Sequence, residues 1–432
     1  MSETDKPQPD DKPTDQPSSV KQDEAPASGP DATDVHVAED ASAAREERSR
    51  SVLHEIVSGD ALAGVLAVFL AVFVGSVMIA ATDQGVRDTL SYITARPSDF
   101  FSAVWNAVSG AYSAMFRGAV YNNLVTDPAQ QWRPLTETLK FAGPLILGGL
   151  GVGLAFRAAM FNIGGRGQML LAGGAAAWIG FRFDLPMIIH LPLAIAVGML
   201  FGALWGGLAG LLKARTGAHE VIVTIMLNYV AYYFVFWALT KEWLLATPGS
   251  VNPKSPPMKD TAILPKVLGD RFNLHLGFVI ALVAVAVVWW LLNRSTLGYR
   301  IRAVGENPRA ARASGINVGR TYTVVMMLGG ALLGLAGVNQ VLGTVTSGVS
   351  VDIDAGIGFD AITVALLGRS RPLGILAAGI LFGAFKAGGF TMQASENISV
   401  DLVLVVQSLI VLFLAAPPLV RAIFRLPAQE AK

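Results

Sequence analysis

Between Ala61 and Val420 the chain repeatedly runs apolar for close to the length that a helix needs to cross a ~30 Å hydrocarbon core. In lipid the backbone N–H and C=O groups of such a run must be satisfied within it, so the runs are expected to be helices. Spans are expected at 61–81, 136–156, 159–181, 186–212, 219–240, 274–292, 321–341, 358–370, 372–391 and 400–420. The fold class that follows is an all-α polytopic membrane protein of about ten transmembrane helices, two of them broken, behind a disordered N-terminal tail. A content of 53% hydrophobic and 15% charged residues, with a mean hydropathy of +0.50, agrees with that class and not with a soluble domain.

Charge sets the expected boundaries and orientation. Residues 1–50 carry a net charge of −7 and the rest of the chain +8. Residues 1–59 are rich in Pro, Asp, Lys and Ser with almost no large apolar side chains, so they are read as a disordered acidic tail. Arg45, Arg48 and Arg50 before the first span place that tail in the cytoplasm, and Arg421 with Arg425 place the C-terminal end there too. Residues 60–425 then form the transmembrane domain. Between the first two spans, Phe100 to Val120 reads as an interfacial amphipathic helix. The longest outside loop, Lys241 to Asn273, holds Pro248, Pro253, Pro256, Pro257 and Pro265, which suits an ordered connection without helix. The absence of cysteine excludes disulfides, thiolate catalysis and zinc–thiolate sites, and the five histidines form no metal-ligand spacing.

Two spans contain breaks. Phe161-Asn162-Ile163-Gly164-Gly165-Arg166-Gly167-Gln168 puts glycines and amides where apolar helix should continue, and Asp360 to Pro372 is short before its Gly and Pro. Gly-rich backbone at membrane depth is tolerated where it is buried in protein or lines a cavity, and matching breaks in two halves of a chain point to a translocation path. Both breaks carry Gly-Arg and run into small residues, Leu170 to Ala177 and Leu373 to Gly379, a short similarity of the kind an internal repeat leaves. The candidate path residues are Asn162, Gln168, Asn228, Asn339 and Asp360; the competing reading is that the amides only bond helices together. Glu220, beside His219 at a span end, is better explained structurally.

The loop from Asn293 to Arg320 sets Arg294, Arg300, Arg302, Arg309, Arg312 and Arg320 against one acid, Glu306, which marks it as cytoplasmic. Within it Asn307 suits an N-cap, Pro308 the first helical position and Gly315 a left-handed close, leaving a helix of about two turns from Pro308 to Ser314. Ala310, Ala311 and Ser314 are expected on one small-residue face, open to close docking in a groove of another protein.

Four motifs, FNIGGRGQM at 161–169, GAHEVIVTIMLNYVA at 217–231, GYRIRAVGENPRAARASGI at 298–316 and GFDAITVALLGRSRPLG at 358–374, resemble the permease subunits of bacterial ATP-binding-cassette importers. The likeness is to the nucleoside and simple-sugar branch, related to the ribose and branched-chain amino-acid permeases, and covers most of 136–420. The third motif is similar to the loop that docks on the ATPase, here with Arg309 where an acid is usual, and His219 stands where Asn would precede Glu220. The resemblance implies docking residues Arg302, Glu306, Asn307, Ala310, Ala311 and Gly315. It also implies a cytoplasmic ATPase, a second homologous permease in a heterodimer, and an extracytoplasmic binding protein or lipoprotein. It places the chain in the bacterial inner membrane, with membrane lipid around it and no nucleic-acid partner. Without a GxxxxGK[ST] loop the chain is expected to bind no cofactor, ATP being used by the partner.

The substrate implied is a nucleoside, with a simple sugar such as a pentose as the alternative. Small residues at Gly148, Gly149, Gly151, Gly153, Gly206, Gly207, Gly329 and Gly330 would let helices approach and slide during alternating access. An ion-coupled secondary transporter would also use broken helices, but it commonly needs carboxylates within spans, and Glu220 and Asp360 read as near span ends. An intramembrane enzyme would need a nucleophile with a base, or a metal cluster, and His54, His190, His219 and His275 all fall near interfaces.

Overall fold

A computed structural model describes residues 60–396, 398–415 and 417–425, so the expected tail, residues 1–59, lies outside the described residues. The described residues are helical with no strand among them, apart from an isolated bridge between Lys266 and His275. The helices are α1 (Asp60–Thr82), α2 (Gln84–Leu90), α3 (Pro97–Ala119), α4 (Pro128–Phe156), α5 (Gly165–Arg182), α6 (Met187–Thr216), α7 (Glu220–Ala238) and α8 (Leu276–Arg294). They continue as α9 (Thr296–Glu306), α10 (Pro308–Ala313), α11 (Val318–Asn339), α12 (Ile357–Leu367), α13 (Pro372–Glu396), α14 (Val400–Ala415) and α15 (Pro417–Ile423).

Six of these, α4, α6, α7, α8, α11 and α13, are long and apolar enough to cross a membrane, and a seventh crossing is possible if α1 and α2, bent by 71° at Asp83, act as one span. The count of ten is therefore not confirmed. The discrepancy falls on particular segments: α5 has 18 residues and begins with Gly-Arg-Gly-Gln, α14 has 16, and α12 has 11. At 1.5 Å per residue α12 is about 16 Å long, roughly half of a ~30 Å core.

The core is built around α11 and α4. From Ala142 to Ala155 every residue of α4 is buried, because α11, α12, α13 and α8 cover it on different sides. α11 packs most extensively on α6, where Gly198, Gly202, Gly206 and Gly210 recur every fourth residue and so share one face. A Cβ at Gly202 or Gly206 would collide with the carbonyl oxygens of Gly330 or Met326, so the two backbones touch there. Gly151 meets Gly329 in the same way from α4. The expected contact glycines are thus at helix crossings, joined by Gly198, Gly202 and Gly210, which sequence reasoning left out.

α3 covers the expected amphipathic segment and lies along α13 through Ala111, Ala114 and Gly118, with Phe101, Trp105 and Phe116 exposed. The proline-rich loop after α7 has one short 3-10 turn, Asp260–Ala262, and is otherwise irregular but bonded. Its Ser255 N–H donates to the Val349 carbonyl at 3.0 Å, Met258 N–H to Thr346 at 2.9 Å and Leu264 N–H to Leu342 at 2.8 Å. These bonds close one end of the bundle, opposite the end that carries α9 and α10.

Candidate functional site

After α4 the chain turns through Ala159, at φ 53°, and runs without helix from Met160 to Gly164. Side chains replace the missing helical ladder. Asn228 of α7 donates from Nδ2 to the Ile163 carbonyl and accepts at Oδ1 from Gly167 N–H, both at 2.8 Å. Thr224 Oγ1 accepts from Ile163 N–H at 3.3 Å. Asn162 Oδ1 accepts from Gly164 N–H at 2.9 Å and from Gln168 Nε2 at 3.1 Å, while its Nδ2 donates to Gln168 Oε1 at 3.3 Å. Asn162 and Gln168 are fully buried and bond to one another in both directions. A buried backbone group without a partner would cost about 1–3 kcal/mol, so these amides are what lets the break exist.

The depth of the break follows from α7. Glu220 starts that helix and pairs with Lys213 at 2.5 Å across the short turn closed by Gly217, at φ 71°. Asn228 is eight residues on, about 12 Å along the axis. The chain from Phe161 to Gly167 climbs beside those two turns, and α5 begins inside the bundle. α12 begins against it: a Cβ at Gly165 would lie 2.6 Å from the Gly358 carbonyl oxygen, and one at Gly358 would strike the backbone of Arg166. From there α12 runs back toward the end of α4, where the Ser370 carbonyl accepts from Arg157 Nε at 3.0 Å.

α12 is therefore a half-helix, entered through the irregular segment 345–356 and left through a tight turn with Arg369 and Ser370 at φ 51° and 50°. Segment 358–370, too short on sequence to span comfortably, forms this half-helix. The two Gly-Arg pairs sit differently in their breaks: Gly165-Arg166 opens α5, whereas Gly368-Arg369 closes α12. What meets is the start of each helix, Gly165 with Gly358.

Charge gathers at that meeting point. Arg166 pairs with Asp352 at 3.2 Å and with Asp354 at 3.3 Å, and its guanidinium carbon is 5.2 Å from the centre of the Tyr232 ring. Asp360, one turn into α12, pairs with Lys386 at 3.3 Å, and Lys386 also donates to the Ala355 carbonyl at 2.9 Å. A cavity of about 390 Å³ opens beside Arg166, bordered by Asn228, Tyr229, Tyr232, Tyr233, Asp352 and Phe359. Tyr229, Tyr233 and Phe359 face outward from the chain, 59%, 65% and 49% exposed, so this is an open half-site.

Of the expected path residues, Asn228 borders the cavity, Asn162 and Gln168 brace the break behind it, and Asp360 is held by Lys386 nearby. Asn339 stands apart, at the far end of α11 between Gly143 and Gly277. The sequence reading missed Arg166, Asp352 and the tyrosines as site residues. The spacing of Tyr229, Tyr232 and Tyr233 beside Asn228 was the available signal for one face of α7.

At the other end, Asn307 Oδ1 accepts from the N–H groups of Arg309 at 3.0 Å and Ala310 at 3.1 Å, capping α10 with Pro308 at its first position. Gly315, at φ 81°, closes it: Gly315 N–H donates to Arg312 and Ile316 N–H to Ala311, both at 3.0 Å. The local chemistry is as expected, but the helix ends at Ala313 and the three small residues do not share an exposed face. Ala311 is buried against Val304 and Val318, while Ala310 and Ser314 are exposed, with Arg309 and Arg312 beside them. Arg302 turns away from α10 into a cleft with Arg157. α9 rests on the end of α4, its Gly305 packed on the Arg157 carbonyl with no room for a Cβ.

A bundle of apolar helices, with a charged half-site where two helix starts meet and a capped basic helix at one end, defines a multi-pass membrane protein built to pass a solute. Residues 135–415 match the family described as branched-chain amino acid transport system permease component, and the chain belongs to that family. It is similar to the guanosine ABC transporter permease NupP of Bacillus subtilis, 36% identical over 73% of this chain and 88% of that protein. The nucleoside ABC transporter permease NupB of Lactococcus lactis is 34% identical over 68% of this chain and 82% of its own length. The glucose ABC transporter permease TsgB13 of Haloferax volcanii is 33% identical over 65% of this chain and 75% of its own length. Second permeases of the first two organisms, NupQ and NupC, match more weakly, at 26% and 27% identity. ABC permease subunits are not enzymes, and this chain is not one.

Proposed function

We propose that this permease forms half of the membrane path for nucleosides in an ATP-driven importer. The observation that carries the reading is the half-site at Arg166: three tyrosines and a phenylalanine offer faces for an aromatic base, and Arg166 with Asp352 offers hydrogen bonds to base edge and ribose. Its outward-facing side calls for a second permease to close it, and the paired relatives NupP with NupQ and NupB with NupC support a heterodimer. A cytoplasmic ATPase would engage the exposed side of α10, at Ala310 and Ser314, with Asn307 and Gly315 fixing the helix and Glu306 at its edge. An extracytoplasmic binding protein would load the opposite end. In this arrangement both termini are cytoplasmic.

The test is competition for uptake of labelled guanosine in cells that carry the whole system. Unlabelled adenosine and uridine should compete at micromolar concentration and glucose or ribose should not. A simple sugar is the second reading, favoured by the Haloferax relative. Competition by sugars alone would establish it in place of nucleosides.

A further inference from the structure

A second cleft, of about 640 Å³, lies between the ends of α4, α8, α9 and α13 and is lined by Arg157, Arg302, Arg371, Asn293, Trp289 and Leu373, among others. Arg157 follows the last turn of α4, Arg302 is on α9, and Arg371 precedes Pro372 at the start of α13. None of the three has a carboxylate within 4 Å among the described residues. Burial, then the charges of Arg371 and Arg302, lower the Arg157 guanidinium below the usual arginine range. Three cations held together with no counter-charge among the described residues repel one another, and a bound anion removes that cost.

The cleft has further features that select the anion. Arg157 donates through Nε to the Ser370 carbonyl, which fixes the plane of its guanidinium. Planar guanidinium groups match phosphate oxygens in paired hydrogen bonds. Leu373 and Gly374, in the first turn of the 25-residue α13, carry N–H groups with no partner inside that helix. One wall is apolar and faces away from the bundle: Trp289 is 44% exposed and Leu373 64%. The cleft sits at the ends of membrane-crossing helices, on the side of the basic loop 293–320, where tryptophan and arginine meet lipid headgroups.

We infer that Arg157, Arg302 and Arg371 bind the phosphate of an anionic phospholipid headgroup, with its acyl chains along Trp289 and Leu373. The site is separate from the solute half-site and does not depend on which solute is carried. Native mass spectrometry of the full-length chain, released from detergent loaded with equal phosphatidylglycerol and phosphatidylcholine, tests it. The native chain should retain phosphatidylglycerol at least tenfold over phosphatidylcholine. Arg157→Gln with Arg371→Gln should bring the two near parity, and Arg157→Lys with Arg371→Lys should restore part of the preference at unchanged melting temperature.

Three outcomes would overturn the inference. The first is equal retention of both lipids by the native chain, or undiminished preference in the double Gln variant. The second is displacement of phosphatidylglycerol by millimolar inorganic phosphate, which would make the ligand a free anion. The third is loss of the lipid when the ATPase subunit is added, which would assign the cluster to acidic groups of that partner.

Discussion

Asn228 holds the site together with two hydrogen bonds to backbone, one to each side of the break before α5. Asn228→Leu would leave the Gly167 N–H and the Ile163 carbonyl buried without those partners, at a cost of about 2 kcal/mol or more. The expected result is a melting temperature lower by several degrees and uptake reduced at least tenfold, measured on the same preparation. His275, buried before α8, gives a pH signature: burial, then Lys140, lower its pKa to about 4, partly offset by Glu137. The folded chain is neutral at His275 between pH 4 and 6.5, where the unfolded chain is protonated. Stability from this group is complete above about pH 6.5 and falls as pH drops toward 4, by roughly 3 kcal/mol in all. In detergent the native chain should lose more thermal stability between pH 7 and 4.5 than His275→Gln does. Asn162, Gln168 and Asn228 were visible in the sequence because amides are rare in apolar runs. Arg166 was passed over because its partners, Asp352 and Asp354, lie far along the chain and only packing brings them near.

At the level of elements, α10 was the most legible because its signals are local: a capping amide, a proline and a left-handed glycine within nine residues. Which alanine faces out was not legible, since α9 and α11 decide it by covering Ala311. The two alanines therefore make a paired test. Ala310→Glu should leave the melting temperature of the isolated permease unchanged and reduce recovery of the ATPase in a pull-down at least tenfold. Ala311→Glu puts a charge into a packed site and should lower both. On α6 and α11 the glycines admit no side chain, so Gly202→Leu should cost more than about 3 kcal/mol and appear as lost monodispersity on gel filtration. The shortness of α12 was legible in the sequence, but its depth was not, because an apolar run does not reveal where in the bundle it starts. The contact of Gly358 with Gly165 sets that depth.

Across the whole molecule the contacts form a continuous route from the basic loop to the half-site. α10 packs through Ala311 on α9, α9 through Gly305 on the Arg157 carbonyl, and the segment after Arg157 is the one that Asn228 and Thr224 hold in place beside Arg166. Through this packed backbone a displacement of α10 would reach the floor of the cavity, which is the coupling that we propose. Carboxylates beside a helix break also occur in ion-coupled carriers, and Asp360 stands in the first turn of α12, beside the break before α5. Asp354 and Asp360 nevertheless each face a cation, Arg166 and Lys386, within 3.3 Å. The deciding measurement is guanosine uptake into proteoliposomes holding this chain, its partner permease, the ATPase and the binding protein, with ATP inside or outside and with or without Gly305→Val. Uptake that requires ATP on the side of the basic loop, and is lost with Gly305→Val while ATPase recovery is kept, is the predicted result. Uptake by this chain without ATPase, driven by a proton or sodium gradient, would contradict the account.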